Sequence, residues 1–415
     1  MTRTRLRLCL LCEDLSLPID EGIKKFVTSV SGPLAEMADL LVLAAGDTGP
    51  LPASVQPAPA NRFLLGGTLG QTLRRFQPDI VVYVPIAAAT RNSFVRCAIL
   101  RGYAPRARLL MVSLQPRTYG PLARRLIRRL HPDLTLVQSL ATCHRLTRLG
   151  CPAAVLPSGV DLHAFAPVSR QEKQALRARY GLPPEAYVVL HVGHLKRQRN
   201  VLLLNRVRSE LSCETVFVGS TSTPDGVDHD VAAALRAGGT HVIDRYIERI
   251  AELYQLADCY LFPVHAIGGA IEAPLSVLEA MACDVPVVTT RFGFLRQSFA
   301  DGPGVTFADS DDGLLAAVSC RRETHEQFSP GQVRAQVEPF SWDAIARTLL
   351  AQATGVRRQA TDQETALVPV DPLRAANAAR VPEGHVAAAT GALPPRASHG
   401  SGRLSPASDT AESRP

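Results

Sequence analysis

The segment Glu272–Thr290 reads EAPLSVLEAMACDVPVVTT, a short apolar helix followed at once by a buried strand. Pro274 suits the first helical position, where its missing N–H removes no hydrogen bond. An apolar face is formed by Leu275, Val277, Leu278 and Met281, and Val287–Thr289 has the β-branched composition of a buried strand. The segment therefore predicts a helix and strand of a parallel α/β sheet, with free N–H groups at the start of the helix.

The start of this helix predicts an anion site. Free N–H groups around Pro274, Leu275 and Ser276, together with the positive end of the helix dipole, attract an anion such as a diphosphate. Glu279 lies too far along the helix to face phosphates and is better placed to accept hydrogen bonds from ribose hydroxyls. Glu272, in the preceding loop, is positioned to reach hydroxyls of a sugar. From this segment alone, a second interpretation is equally open. In it Glu279 is a solvated helix carboxylate, and Glu272 only interacts with the dipole at the start of the helix.

The segment resembles the signature of retaining GT-B glycosyltransferases of family 4. In that family one glutamate stands eight positions before the glutamate of an L-L-E-A-M-A-C-G-x-P-V-V-x-T run. Here the eighth position before Glu279 is Ile271, so that Glu272 comes one residue late, and Asp284 replaces the usual glycine. The resemblance implies that Glu272 orients the donor sugar and that Glu279 binds the ribose.

A second matching segment is Pro157–Pro167, PSGVDLHAFAP, which is similar to the P-N-G-V-D-x-x-x-F-x-P connection between the two domains of the family. Gly159 permits a turn, Asp161 can bond to nearby backbone, and Phe165 anchors the exit. The segment is therefore expected to join two domains.

A third segment, Val188–Asn200, is a buried strand that ends in glycine and leads into a basic loop, similar to the family's V-G-R-L-x-x-x-K-G. The resemblance implies that this loop clamps the donor diphosphate, with Arg199 on the lysine position and His194 on the arginine position. Arg199 can bind a phosphate through two parallel hydrogen bonds. The alternative is a solvated loop. The donor-binding candidates here are Gly193, His194, Lys196, Arg197 and Arg199, of which Arg199 and Lys196 are also expected to stabilise the leaving diphosphate.

A further strand, Thr215–Gly219, and the segment His241–Pro263 follow in the family's order. The family's loop before this helix passes the nucleobase, which makes Tyr246 a candidate base neighbour. The alternative role of Tyr246 is a packing residue at the start of the helix.

Composition agrees with a two-domain enzyme. The chain has 415 residues, of which 46% are hydrophobic, and a formal charge of +7 that suits anionic partners. Its nine cysteines, an odd number, argue against a disulfide framework, and Cys9-Leu-Leu-Cys12 has no second ligand pair. No apolar run of about 18 residues or secretory signal stands out, so we expect a cytoplasmic protein. No nucleic-acid-binding motif appears.

The run Arg124–Arg129 places two apolar residues between paired arginines. On a helix this pattern suits peripheral contact with an anionic membrane and access to a lipid-linked acceptor, or simply a solvated helix face.

Strands alternate with amphipathic helices along the chain, which predicts an α/β fold of two doubly wound, Rossmann-like domains facing across a cleft. We expect an acceptor-binding domain at residues 1–165, a nucleotide-sugar-binding domain at 166–338, a helix crossing back at 339–355 and a disordered tail at 356–415. The predicted strands are Leu6–Leu11, Leu40–Leu43, Ile80–Val84, Leu109–Val112, Leu134–Val137, Ala153–Leu156, Val188–Val192, Val216–Val218, His241–Ile243, Cys259–Phe262 and Val287–Thr289.

Candidates for the acceptor side follow strands of the first domain. Gly22 is the close-approach residue of the loop after the first strand, and Gln115 and Arg117 follow a later strand. Many family members have a donor-contacting histidine in this domain, and none stands in these loops, so Gln115 or Arg117 is expected to substitute.

These patterns together predict a glycosyltransferase that moves a sugar from a nucleoside diphosphate sugar to an acceptor hydroxyl on a glycan, a lipid-linked molecule or a small molecule. The resemblance implies retention at the anomeric carbon and no cofactor or metal. Two alternatives remain open, a non-catalytic partner or scaffold subunit of the same fold, favoured by Ile271 and His194, and a sugar-nucleotide epimerase.

Overall fold

A computed structural model describes residues 5–19, 21–46, 49–86, 88–219, 228–266, 268–324 and 329–355. The predicted tail at 356–415 lies outside these residues. Within them, every ladder between strands is parallel, in one sheet of seven strands and one of six. The prediction of two doubly wound α/β sheets is confirmed.

The N-terminal half contains the first sheet, in the order β3-β2-β1-β4-β5-β6-β7. Its strands are β1 (Arg7–Cys12), β2 (Asp39–Ala44), β3 (Gln56–Pro57), β4 (Ile80–Val84), β5 (Arg108–Ser113), β6 (Leu134–Val137) and β7 (Ala153–Val155). Its helices are α1 (Gly22–Met37), α2 (Gly67–Phe76), α3 (Arg91–Tyr103), α4 (Pro121–Leu130) and α5 (Leu140–Arg148).

The C-terminal half contains the second sheet, in the order β10-β9-β8-β11-β12-β13. Its strands are β8 (Val188–Gly193), β9 (Glu214–Gly219), β10 (His241–Ile243), β11 (Cys259–Phe262), β12 (Val287–Thr289) and β13 (Val305–Phe307). Its helices are α6 (Arg170–Arg179), α7 (Leu203–Leu211), α8 (His229–Ala237), α9 (Ala251–Gln255), α10 (Leu275–Ala282), α11 (Leu295–Ser298) and α12 (Asp311–Glu323).

Each sheet is buried on both faces because helices cover both sides. In β1, Leu8 and Leu10 pack into one core cluster while Cys9 and Leu11 pack into another, as expected when successive side chains point to opposite faces. This arrangement explains why the strands read as continuous apolar runs in the sequence.

The last described helix, α13 (Trp342–Thr354), packs on α1 of the N-terminal half. Phe26 and Trp342 meet edge to face, with ring centroids 5.6 Å apart. Trp342 is thus mainly a core residue, although its edge also borders the cavity described below.

Asp284, which stands where the resembled family has glycine, has a positive φ of 61°. Its carboxylate accepts hydrogen bonds from the backbone N–H groups of Gly331, Val333 and Arg334, at 2.6, 3.0 and 3.1 Å. These bonds offset the backbone strain, and they explain why a residue other than glycine is tolerated there.

All eleven predicted strands are present; five have the predicted ends, and the ends of the other six shift by at most two residues. The sequence reading missed β3 and β13, two short edge strands of two and three residues. No helix of the described residues is both long and apolar enough to cross a membrane.

Candidate functional site

A cavity of about 830 Å³ lies between the two sheets. From the C-terminal half it is lined by the carboxyl ends of β8 and β9 and by the start of α10, and from the N-terminal half by the start of α1. In open α/β sheets this edge is where ligands bind.

Arg199 is a half-buried cation at the wall of this cavity. It closes a 3-10 turn, Arg197–Arg199, that follows β8. Its guanidinium Nη2 lies 3.2 Å from His194 Nδ1, its Nε is buried without a hydrogen-bond partner, and no ion pair joins it to a carboxylate among the described residues. Burial lowers the pKa of the guanidinium from its usual range. A partly buried positive charge without a carboxylate partner favours an anionic ligand.

Gly193, at the end of β8, makes room for this guanidinium. A Cβ atom built on Gly193 would lie 2.5 Å from Arg199 Nη1 and 3.2 Å from His191 Nε2. The glycine predicted to bind the donor therefore has a packing role of its own, because it lets Arg199 lie flat against the end of the strand.

Glu279 lines the same cavity from α10. Its Oε2 accepts a hydrogen bond of 2.6 Å from the Tyr254 hydroxyl, and its Oε1 lies 3.2 Å from Lys25 Nζ of α1. Burial, with the charge of Glu279 as the next cause, raises the pKa of Tyr254 well above its usual range, so that its hydroxyl stays a donor. Glu279 is thus a carboxylate held in place at the cavity wall, with lone pairs left to accept further hydrogen bonds.

The start of α10 also lines the cavity, through Pro274, Leu275 and Ser276. The helix begins at Leu275 with Pro274 as its N-cap, one residue later than predicted, because ψ of Pro274 is extended at 117°. Pro274 makes no capping hydrogen bond through its side chain. The positive end of this helix therefore faces the cavity without a side-chain cap.

Glu272 is not placed as the sequence predicts. It is absent from the cavity lining, where its neighbour Ile271 stands instead. The Glu272 side chain is buried against the N-terminal half, and its Oε1 accepts hydrogen bonds from the hydroxyls of Ser139 and Thr142 at 2.7 and 2.8 Å. The expectation that this carboxylate orients a donor sugar is therefore not met, because the loop turns it away from the cavity.

The other predicted residues divide into two groups. Those that line the cavity are Gly22, Gln115, Gly193, His194, Lys196 and Tyr246. Arg197 and Arg117 are exposed and do not line it. Arg197 begins the turn that ends at Arg199, and the carbonyl oxygen of Arg117 accepts a hydrogen bond from Arg145.

Lys25 is the main functional candidate that the sequence reading missed. It lies in the second turn of α1, lines the cavity and forms an ion pair across the cleft with Glu279. The sequence held one indication of this role. Lys25 follows Gly22 by three residues and therefore lies on the same face of α1 as this glycine. The described residues contain no group of three or more metal-ligating side chains.

Comparison with known proteins shows which family the cavity-forming segment of the C-terminal half resembles. Residues 186–321, which include β8, Arg199 and α10, match the family model of the glycosyl transferases group 1. This segment is therefore similar to the glycosyl transferases group 1. The predicted resemblance to these enzymes is confirmed.

Proteins similar to this chain include a D-inositol 3-phosphate glycosyltransferase from Geodermatophilus obscurus. It is 28% identical over 242 residues, which cover 54% of this chain and 51% of that protein. The chain thus spans about half the length of the curated relatives it matches most strongly.

Solved structures extend the likeness to both halves of the chain. Sucrose-phosphate synthase from Thermosynechococcus elongatus superposes with a TM-score of 0.68 at 15% identity, over 84% of this chain and 99% of that one. Anabaena HepE in complex with UDP-glucose gives 0.67 at 16% identity, over 84% of this chain and 100% of that one. At these identities the likeness shows the fold, which is GT-B.

Proposed function

We propose that this protein is a glycosyltransferase that uses a nucleoside diphosphate sugar. The observation that carries the proposal is Arg199, a half-buried cation with a buried, unpartnered Nε and no carboxylate partner among the described residues, at the wall of the interdomain cavity. The start of α10 adds a second source of positive potential at the same cavity.

The proposed donor site fits the chemistry of a sugar nucleotide. Arg199 and the start of α10 would bind the diphosphate, and Glu279 would accept hydrogen bonds from ribose hydroxyls. Tyr246, which is 53% exposed at the cavity, would contact the base. The complex of HepE with UDP-glucose supports this class of donor, since that protein shares the fold.

The proposed reaction breaks the bond between the anomeric carbon and the diphosphate and forms a bond from that carbon to an acceptor oxygen. Negative charge develops on the leaving diphosphate. Arg199 would stabilise this charge together with the exposed Lys196 at the cavity rim. We propose retention of configuration and no metal or other cofactor, because protein cations take the place of a metal in this scheme.

The acceptor would enter from the N-terminal half, past Gly22 and Gln115, and supply a hydroxyl from a glycan, a lipid-linked molecule or a small molecule. Contact of this half with an anionic membrane is part of the proposal. Four arginines of α4, none of which forms an ion pair within the described ranges, are exposed beside Leu122, which is itself 69% exposed; they are Arg124, Arg125, Arg128 and Arg129. Sedimentation with vesicles that contain or lack anionic lipid tests this contact.

A second candidate function is a non-catalytic nucleotide-sugar-binding subunit. It is favoured by Ile271, which lines the cavity at the family's glutamate position while Glu272 points away. Such a protein would bind the same nucleotides but release no nucleoside diphosphate from any donor and acceptor mixture.

A thermal-shift panel of UDP, GDP, CDP, ADP and dTDP tests the proposal. A ligand at about 100 times its dissociation constant stabilises a protein by about 2.7 kcal/mol. We expect one nucleotide to raise the melting temperature of the wild type but not of Arg199→Ala. Arg197→Ala is the matched control, since this arginine lies in the same turn and outside the cavity lining. No shift with any nucleotide, or an equal shift in Arg199→Ala, would contradict the proposal.

A further inference from the structure

The first turn of α5, in the N-terminal half, forms hydrogen bonds with side chains of the C-terminal half. Ser139 is its N-cap, and the Ser139 side chain accepts a hydrogen bond from the N–H of Thr142 at 3.1 Å. The hydroxyls of both residues donate to Glu272 Oε1, at 2.7 and 2.8 Å. The N–H of Leu140 donates to Gln297 Oε1 at 2.8 Å. Gln297 of the opposite half thus caps one backbone N–H of α5, and Glu272 of the same half binds the Ser139 hydroxyl that caps another.

The backbone beside Glu272 is tied to the same part of the N-terminal half. The N–H of Glu272 donates to the carbonyl of Leu114 at 2.9 Å, and the N–H of Ala273 donates to Gln138 Oε1 at 2.9 Å. The Glu272 carbonyl in turn accepts a hydrogen bond from Phe294. This crossing point is therefore fixed by backbone as well as by side-chain bonds.

The side chain of Glu272 depends on the contact between the halves. It is 5% exposed, and its second oxygen, Oε2, is buried without a hydrogen-bond partner. A carboxylate in this state is stabilised by the two hydroxyls and by the positive end of α5, and both belong to the other half. If the halves separated, these contacts would be lost together.

The contact lies directly beside the cavity. Glu272 is two residues before Pro274, the N-cap of α10, and Leu114 is followed by Gln115, which lines the acceptor side. A bond network that joins Glu272 to Leu114 and to α5 therefore sets the distance between the start of α10 and the acceptor wall.

We propose that Glu272 is a positioning residue. Through an interdomain cap, in which its carboxylate accepts hydrogen bonds from the hydroxyls of Ser139 and Thr142, it orients the capping hydroxyl of Ser139 and holds the start of α10 in register with the N-terminal half. It acts through Pro274 and Ser276 and does not contact the ligand. Its effect on ligand binding rests on the proposed function, whereas its effect on α5 does not.

Hydrogen exchange and UDP titration of the full chain test this inference. In Glu272→Ala we expect faster amide exchange at the first turn of α5 and about a tenfold loss of UDP affinity. In Glu272→Gln the amide oxygen can still accept both hydroxyl protons, so we expect α5 protection and UDP affinity within about twofold of the wild type. Glu214→Gln is a matched control, because Glu214 binds Arg208 and His241 within the C-terminal half only.

Two outcomes would overturn the inference. One is unchanged α5 exchange in Glu272→Ala. The other is a Glu272→Gln variant that loses UDP affinity as fully as Glu272→Ala while α5 stays protected, since this would assign Glu272 a direct charge effect on the ligand. If the wild type bound no UDP, the proposed donor would be in doubt, yet the exchange of α5 would still decide whether the cap exists.

Discussion

His191 makes the fold sensitive to acid in a way that one substitution can isolate. It lies fully buried on β8, with Nδ1 2.8 Å from the carbonyl oxygen of Leu261 and the ring stacked on Phe217 at a centroid distance of 5.6 Å. Its Nε2 is buried without a partner. Burial, with a smaller effect of the nearby Arg199 charge, lowers the pKa of His191 from its ordinary value of 6.5 to about 4.

The sign of the effect follows from this lowered pKa. Above pH 6.5 the ring is neutral in both the folded and the unfolded chain, and its titration costs no stability. As the pH falls from 6.5 to about 4, the unfolded chain binds a proton that the folded chain does not, and the fold loses stability. At about 1.4 kcal/mol for each pKa unit, the loss over this window is about 3 kcal/mol.

His191→Phe keeps a flat aromatic ring in the stack and removes the titrating group. Its stability at pH 7 is expected to fall by about 1 kcal/mol, because the carbonyl of Leu261 loses a hydrogen bond. Between pH 6.5 and 4, however, urea unfolding should show a free-energy loss about 3 kcal/mol smaller in the variant than in the wild type. Equal losses in the two proteins would refute the assignment of acid sensitivity to His191.

Three further substitutions probe the cavity and the fold. Gly193→Ala should displace the Arg199 guanidinium and weaken UDP binding about tenfold by calorimetry, and an unchanged affinity would show that the guanidinium is not held against the glycine. Lys25→Met removes the ion pair across the cleft to Glu279 and should weaken UDP binding several-fold, whereas tighter binding would mean that Lys25 competes with the ligand. Asp284→Ala removes three acceptor contacts to backbone N–H groups at a positive φ and should lower the free energy of urea unfolding by about 2 kcal/mol, so a loss below about 0.5 kcal/mol would argue against this role.

The strands and the positions of the loops could be predicted because they depend on local pattern. A buried parallel strand is a continuous apolar run, and the residues that follow it must lie at one edge of the sheet. For this reason the positions of Arg199 and Glu279 at the cavity could be predicted from the sequence. It missed β3 and β13 because strands of two or three residues carry almost no pattern.

The direction of individual side chains could not be predicted, since it depends on distant parts of the chain. Arg197 and Arg199 belong to one turn, yet only Arg199 lines the cavity. Glu272 carried the expected chemistry at nearly the expected place, but Ser139 and Thr142, 133 and 130 residues earlier, bind its carboxylate. Lys25 was missed for the same reason, because its partner Glu279 is 254 residues away.

The position of the diphosphate is the most direct test of the account. A crystal structure of the full chain with UDP should place a phosphate oxygen about 3 Å from the Arg199 guanidinium and another near the backbone N–H groups at the start of α10. A UDP whose diphosphate lay away from both Arg199 and Ser276, or outside the cavity, would contradict it.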